Sequence, residues 1–220
     1  MKIRWLGHAC FLLEGSRTVL IDPFVPSGEI DADPDIVAIT HAHADHLGVA
    51  ERFQKPTVAM NEVAKYLRER GVPAEPMNLG GTIEVEGVRF TMTPALHSSW
   101  LECAGFGTYG GVAAGFVIRM DGVAVYHAGD TALFSDMKLI RDLYHPDVAL
   151  LPVGGRYTMG PEEAMMAAEF VGARTVIPMH YNTFPVIEQD LSGFVDALER
   201  TTDIRVALLQ PGESIEVEAE

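Results

Sequence analysis

The chain has 220 residues, 48% of them hydrophobic and 21% charged, with a formal net charge of −15. This composition is typical of a globular protein of one large or two small domains, and it disfavours a general affinity for nucleic acid, since binding to phosphates relies on Lys and Arg. No apolar run is long enough to cross a membrane, and MKIRWLGHACFLLEG at the start lacks the pattern of a secretion signal. Cys10 and Cys103 are too few for a disulfide framework, so we expect reduced thiols in a cytoplasmic protein.

The first predicted elements are strands. Apolar runs on both sides of Gly15 in CFLLEGSRTVLID (10–22) predict a hairpin. PDIVAIT (34–40) and PTVAM (56–60) are apolar runs that suit strands buried on both faces. NEVAKYLRERG (61–71) then predicts a helix that ends at its glycine.

The second part of the chain repeats this plan. GFVIRMDGVAVYHAGD (115–130) predicts a hairpin, PDVALLP (146–152) and TVIPM (175–179) predict buried strands, and PEEAMMAAEFVG (161–172) predicts a helix with Pro at its start and Gly at its end. The order of helix and strand differs between the parts, so a duplication is only suggested. We expect one domain over residues 1–220 with two related halves, roughly 1–112 and 113–220. The predicted fold class is α/β (α+β), a four-layer αββα sandwich of two mixed sheets flanked by helices.

The segment ITHAHADHLG (39–48) places His41, His43, Asp45 and His46 directly behind an apolar run. Side chains two residues apart point the same way in an extended segment, so His41 and His43 can bind one ion together. Asp45 and His46 follow where the chain turns and can face a second ion. Imidazole and carboxylate are normal zinc ligands, so the spacing predicts a metal site rather than a solvated loop.

Three later polar residues also follow apolar runs. They are His97 in VRFTMTPALHSS, Asp130 in VAVYHAGDT and His180 in TVIPMHYNT. Each alone is more often structural, but together with the clustered histidines they are candidate ligands. Zinc is the first choice because the set is rich in histidine, and manganese fits the same residues.

In this order the motifs resemble the metallo-β-lactamase superfamily over nearly the whole chain. The closer match is to its small metal-dependent hydrolases of the UPF0173 type, related to ascorbate-6-phosphate lactonases and N-acyl-phosphatidylethanolamine phospholipases D. It is carried by WLGHACF (5–11), IDPF (21–24), TPALHS (93–98), HAGDT (127–131) and YTMGPEEA (157–164). The resemblance implies that His41, His43 and His97 hold one metal, that Asp45, His46 and His180 hold a second, and that Asp130 bridges them.

Such a centre implies a hydrolase in which a hydroxide between two divalent ions attacks an ester, lactone or phosphodiester of a small, anionic metabolite. Asp45 would orient the hydroxide and take its proton. Two alternatives stay open: a phosphodiesterase or nuclease acting on nucleic acid, and a metal-binding or sensing protein without catalysis. A homo-oligomer is compatible with the sequence.

Further polar residues are weaker candidates. His8 either donates a proton near the metals, as a catalytic residue, or is a buried histidine held by a carboxylate such as Asp22. Asp22 itself is expected to orient a ligand histidine. His127 and His145 are expected to be structural.

Substrate contacts are sought in two loops. SSWLECAGFGTYGG (98–111) is either a connecting loop or a flexible wall, in which Trp100, Phe106 and Tyr109 contact substrate and Gly105, Gly107, Gly110 and Gly111 allow movement. In GGRYTMG (154–160), Arg156 is either an anchor for an anionic group or a solvated side chain. Asn182, with its neighbours Tyr181 and Thr183, is a further candidate for the rim of the site.

Overall fold

A computed structural model describes residues 1–103 and 106–219 of the chain, without the side chains of Cys103 and Phe106. Gly105 and the side chains of Cys103 and Phe106, which the sequence singles out, therefore lie outside the described part. Of the helices in this part, none combines the length and hydropathy needed to span a bilayer.

The first sheet has seven strands, in the spatial order β16-β1-β2-β3-β4-β5-β6. Its strands are β1 (Lys2–Gly7), β2 (Cys10–Glu14), β3 (Thr18–Ile21), β4 (Ile36–Ile39), β5 (Thr57–Met60), β6 (Ala74–Met77) and β16 (Ser214–Glu216). The predicted hairpin at Gly15 forms between β2 and β3. β4 and β5 are buried along their whole length, as their apolar runs predict.

The second sheet also has seven strands, in the order β15-β14-β13-β12-β11-β8-β7. Its strands are β7 (Thr82–Val85), β8 (Val88–Pro94), β11 (Ala114–Met120), β12 (Val123–His127), β13 (Val148–Pro152), β14 (Thr175–Met179) and β15 (Arg205–Val206). A separate pair, β9 (Trp100–Cys103) and β10 (Phe106–Tyr109), forms an antiparallel hairpin. Between β11 and β12, Asp121 and Gly122 have φ values of 54° and 80°, the left-handed backbone of a tight hairpin turn.

The two sheets share one topology. In each, antiparallel strands are followed by a parallel run, β3 to β6 in the first sheet and β12 to β15 in the second. Apart from β16, which returns to the first sheet, the chain passes from the first sheet to the second between Met77 and Thr82 and not near residue 112, because β7 and β8 belong to the second sheet. A single domain over residues 1–220 stays a prediction.

The helices lie outside the sheets and complete the predicted αββα sandwich. They are α1 (Ala44–Leu47), α2 (Ala50–Phe53), α3 (Asn61–Arg68), α4 (Met137–Tyr144), α5 (Pro161–Val171) and α6 (Ser192–Thr201). The helices predicted over 61–71 and 161–172 form as α3 and α5. They are not equivalents: α5 connects β13 to β14 as α1 and α2 connect β4 to β5, whereas the counterpart of α3 is α6.

One apolar core joins the two sheets. Phe11 of β2 meets the ring of His127 from β12, with centroids 5.8 Å apart. His127 Nε2 donates to the carbonyl of Ala9 at 2.9 Å, and its Nδ1 accepts from the N–H of Gly129 at 3.1 Å. Burial lowers the pKa of His127, so this histidine is neutral and satisfied by backbone, as expected of a structural residue.

Residues directly after strands take up left-handed backbone at one edge of the sandwich. His8, Asp22 and His180 follow β1, β3 and β14 with φ values of 53°, 45° and 57°. This conformation is uncommon for residues other than glycine and is concentrated at functional sites. His145 also has a positive φ, but it terminates α4 and its N–H donates to the carbonyl of Arg141, which agrees with a structural role.

Candidate metal centre

All seven candidate ligands meet at this edge. They follow β4, β8, β12 and β14, and so lie on loops held by the two sheets. Within the described chain, three groups have potential ligand atoms within 4.8 Å of one another: His41 with His43 and His97; His8 with Asp45, His46 and His180; and His41 with His46 and Asp130.

The first group is built by the extended segment after β4. His41 Nε2 and His43 Nδ1 lie 3.0 Å apart, so both imidazoles face the same point, as strand periodicity predicts. The His97 ring is 5.2 Å from that of His41 and 5.1 Å from that of His43. Burial lowers the pKa of each of these histidines, of His41 most strongly. At neutral pH they are therefore uncharged, the form that binds a metal.

The second group is built by α1 and the segment after β14. His43 precedes α1 with extended backbone, and the single turn of this helix carries Asp45 and His46. His180 Nε2 lies 3.8 Å from Asp45 Oδ2. The His46 and His180 rings are stacked with centroids 5.5 Å apart.

Asp130 lies between the two groups. Its Oδ1 is 3.3 Å from His46 Nε2, and its Oδ2 is 3.0 Å from His180 Nε2 and 3.6 Å from His97 Nε2. Burial would raise the pKa of Asp130, but the neighbouring imidazoles bring it well below its usual range. The buried carboxylate therefore stays ionised and contacts histidines of both groups.

Asp22 and Thr40 fix the orientation of two histidines. The buried Asp22 carboxylate accepts from the Thr40 N–H at 2.8 Å, the Thr40 hydroxyl at 2.7 Å and His46 Nδ1 at 2.7 Å. Because the Thr40 hydroxyl donates to Asp22, its oxygen accepts from His41 Nδ1 at 3.1 Å. Both histidines therefore hold a proton on Nδ1 and direct Nε2 into the cluster.

The buried polar atoms of the cluster show whether a cation fits the residues present. Among the described residues, no hydrogen-bond partner satisfies the buried atoms His46 Nε2, Asp130 Oδ1 and His180 Nε2. Burial alone would lower the pKa of His46, but the carboxylates of Asp130 and Asp22 raise it well above its ordinary value. The raised pKa means that positive charge is favoured between His46 and Asp130, where either a proton or a metal ion on Nε2 can supply it, so a divalent ion fits this site.

His8 lies beside the second group. Its Nε2 is 3.1 Å from Asp45 Oδ2, and its Nδ1 is 3.0 Å from the hydroxyl of Thr183. Burial lowers the pKa of His8 although the hydrogen bond to Asp45 opposes this, so the neutral ring donates to Asp45 and accepts from Thr183. The carboxylate that holds His8 is thus Asp45 and not Asp22, the partner suggested from the sequence.

A cavity of about 350 Å³ opens over the cluster, and it is lined by His43, Asp45, His97, Ser98, Asp130, Tyr157 and His180. Arg156, Trp100 and Asn182 do not line it. Arg156 lies over the ring of Tyr157, with its guanidinium carbon 5.6 Å from the ring centroid. The side-chain oxygen of Asn182 accepts a hydrogen bond from the N–H of Gln189 at 2.8 Å. Asn182 lines a neighbouring cavity instead.

The segment around Trp100 is a hairpin rather than an irregular loop. Trp100 pairs with Tyr109 in register. A Cβ at Gly107 would lie 1.3 Å from the indole nitrogen of Trp100, so this glycine makes room for the indole. Ser99 joins the hairpin to the metal cluster, since its hydroxyl accepts from the N–H of Ala42 at 3.2 Å and donates to the carbonyl of Gly110 at 3.0 Å.

Comparison with known proteins decides the family. A family model described as a β-lactamase superfamily domain matches residues 2–180. A UPF0173 metal-dependent hydrolase of Methanoculleus marisnigri is 75% identical over 217 residues, 99% of this chain and 97% of that one. The chain is a UPF0173 protein of the metallo-β-lactamase superfamily. The resemblance stated from the motifs is therefore confirmed.

Other UPF0173 relatives and solved structures agree. A UPF0173 metal-dependent hydrolase of Methanocaldococcus jannaschii is 50% identical over 226 residues, 98% of this chain and all of that one. The structure of a metallo hydrolase from Ignicoccus hospitalis matches with a TM-score of 0.89 and 36% identity, over 100% of this chain and 99% of that one. An isothiocyanate hydrolase from Delia radicum gut bacteria, 18% identical over the full length of both chains with a TM-score of 0.77, shows the shared fold alone. This UPF0173 protein is a metal-dependent hydrolase.

Sequence reasoning on this UPF0173 protein misses several residues of the site. Thr40 and Thr183 are common residue types without a motif of their own, and their contacts appear only once distant strands meet. Ser98 follows His97 directly and could have been suspected from that position. Tyr157 lies in the loop 154–160, in which the sequence points to the charged Arg156 as the substrate contact rather than to its aromatic neighbour.

Proposed function

We propose that this hydrolase cleaves an ester, lactone or phosphodiester bond of a small molecule with the help of two divalent ions, zinc first and manganese second. His41, His43 and His97 would hold one ion, Asp45, His46 and His180 the other, and Asp130 would contact both. The observation that carries the proposal is the position of the ionised Asp130 carboxylate, 3.0 to 3.6 Å from histidines of both groups. A single carboxylate between two sets of imidazoles is suited to a dinuclear centre.

When bound, such ions would lower the pKa of a water molecule toward neutrality and polarise the substrate oxygen. Asp45 is the residue of this chain placed to handle the proton. Burial would raise the pKa of Asp45, but its hydrogen bond with His8 and the proximity of His46 bring it far below its ordinary value. The ionised carboxylate can therefore orient the attacking group through a hydrogen bond and take its proton as the attack proceeds.

His8 would act next to Asp45. Its neutral ring donates through Nε2 to the Asp45 carboxylate, and Thr183 fixes this orientation from the other side. This chain of hydrogen bonds holds Asp45 in the cavity, and the proton that Asp45 takes from the attacking group can pass to the leaving group. The catalytic pair in this proposal is thus Asp45 and His8.

Three exposed residues are proposed as substrate contacts. Arg156 is next to the cavity wall formed by Tyr157, and a guanidinium there suits a carboxylate or phosphate of the substrate. Trp100 would contact the substrate from the hairpin. Asn182 would do so from the loop after His180, with its side-chain NH₂ group.

The geometry favours this function over the two alternatives. A storage site would be closed, whereas the Asp45 side chain is 34% exposed and a cavity of about 350 Å³ opens above the cluster. A nuclease would need cations along the path of the nucleic acid. The loop 154–160 beside the cavity offers Arg156 alone.

The test is metal analysis followed by a panel of esters, lactones and phosphodiesters. We expect two zinc or manganese ions per chain and hydrolysis of at least one class. His43→Ala should lower kcat/KM by about 100-fold or more, because one ligand is lost and the attacking group is no longer activated. His145→Asn changes a histidine outside the site, in a left-handed position that Asn tolerates, and should leave kcat/KM unchanged. Full activity in His43→Ala would refute the proposed mechanism.

A further inference from the structure

We propose that the substrate carries an uncharged apolar group, aliphatic or aromatic, beside the bond that is cleaved. This group would pack on an apolar rim beside the cavity over the candidate ligands. The rim consists of Leu96, Trp100, Tyr157, Phe184 and Val186. The inference rests on the proposed hydrolytic function and narrows its substrate class.

The rim residues are large side chains left in contact with solvent. Their exposed fractions are 55% for Leu96, 49% for Trp100, 56% for Tyr157, 40% for Phe184 and 52% for Val186. Single exposed apolar residues are ordinary, but several on the segments next to one cavity mark a binding surface.

Two rim residues, Leu96 and Tyr157, are held close to the candidate ligands. Leu96 precedes His97, and its N–H donates to the hydroxyl of Thr131, the residue after Asp130, at 3.0 Å. Tyr157 lines the cavity itself. Its loop is tied to the same strand end by a hydrogen bond from the N–H of Met159 to the carbonyl of Thr131 at 3.1 Å.

The opposite side of the cluster is covered by the segment after β14. The ring of Phe184 lies 5.6 Å from that of His8 and 6.4 Å from that of Phe24. Val186 follows in a single 3-10 turn, Pro185–Ile187. The rim is therefore formed by the segments after β8 and β14, which carry candidate ligands, and by the loop after β13.

Charge supports the same conclusion. Five segments surround the cluster: 22–30, 41–49, 95–100, 154–160 and 181–187. Arg156 is the only Lys or Arg in these segments. A highly charged substrate such as a bisphosphate would find one guanidinium here, whereas a substrate with at most one anionic group and an apolar arm matches the surface.

The test compares two hydroxamates that share a chelating group and differ in their alkyl arm. Acetohydroxamate and octanohydroxamate are titrated by calorimetry into protein loaded with zinc. We expect octanohydroxamate to bind about tenfold tighter or more, since each methylene that the rim partly covers contributes about twofold. The ratio of the two affinities cancels any change in the metal site itself.

Variants locate the effect. Tyr157→Ser and Leu96→Ser should each lower the ratio about threefold or more. Leu143→Ser is the matched control: Leu143 is 62% exposed and belongs to α4, which leads into the start of β13, away from the edge where the strands end. It should leave the ratio unchanged.

The outcomes are distinct. Equal affinity for the two hydroxamates in the parent protein overturns the apolar rim and leaves the metal centre standing. The apolar rim is also overturned if octanohydroxamate binds tighter but neither Tyr157→Ser nor Leu96→Ser lowers the ratio of the two affinities. Binding of neither hydroxamate refutes the metal centre, and with it the proposed function on which the inference rests.

Discussion

At the scale of single residues, the site depends on where protons lie on imidazole rings. Asp22 and Thr40 together receive the Nδ1 protons of His46 and His41, and this leaves both Nε2 atoms free to face the cluster. Burial lowers the pKa values of His41, His43 and His97 and so keeps these rings neutral at physiological pH, which leaves one nitrogen of each ring without a proton. The candidate ligand atoms are thus oriented by the protein's own hydrogen bonds.

Substitution of Thr40 tests this arrangement. Thr40→Val keeps the shape of the fully buried side chain but removes the acceptor for His41 and a donor to Asp22. We expect the affinity for zinc to fall by about 10- to 100-fold, as for other residues that orient metal ligands. Competition with a chromophoric chelator measures it. Thr40→Ser retains the hydroxyl and should stay within about threefold of the parent; equal affinities for Thr40→Val and the parent would show that the hydroxyl does not orient the ligand.

At the scale of elements, the short helix α1 matters most, because it carries Asp45 and His46 on four residues. A helix this short has little stability of its own and depends on its surroundings. Gly48 ends it with φ 46° and ψ −124°, a conformation essentially restricted to glycine. A Cβ there would lie 2.1 Å from the carbonyl oxygen of Pro23, so the glycine allows α1 to pack against the segment after β3.

Gly48→Ala should therefore lower the free energy of unfolding by about 2–4 kcal/mol and weaken metal binding, because α1 must move. Gly28→Ala is the control: Gly28 has φ +71°, and nothing lies within 4 Å of a Cβ there. It should cost only about 1–2 kcal/mol, the strain of the left-handed backbone. Urea unfolding of the metal-free proteins measures both. If the two variants were equally stable, the close approach to Pro23 would not matter.

The elements also show what a single sequence can and cannot predict. Buried strands such as β4 and β13 are recognisable because their apolar runs are continuous. β7 is missed because TIEV is mostly exposed at the edge of its sheet. The hairpin of β9 and β10 is missed because its glycines are typical of a loop, although Gly107 accommodates Trp100. The sequence wrongly suggests that α3 and α5 are equivalent helices, because only the order of strands within each sheet shows which helices correspond.

At the scale of the whole molecule, the two sheets place equivalent strand ends at the same edge. His8 follows β1 and His97 follows β8, which occupy the same place in their sheets, and the same holds for Asp22 after β3 and Asp130 after β12. The candidate ligands could be predicted from their positions after strands, since each strand end is visible in the sequence. Their grouping, with Asp130 between two sets, could not, because it depends on how the sheets pack.

The measurement that tests this account most directly is anomalous X-ray scattering from crystals of the zinc-loaded protein. We predict two peaks, one among His41, His43 and His97 and one among Asp45, His46 and His180. Each should lie about 2.0–2.2 Å from its ligand atoms, with Asp130 in contact with both. A single peak, or two peaks of which one is away from Asp130, would contradict the dinuclear centre.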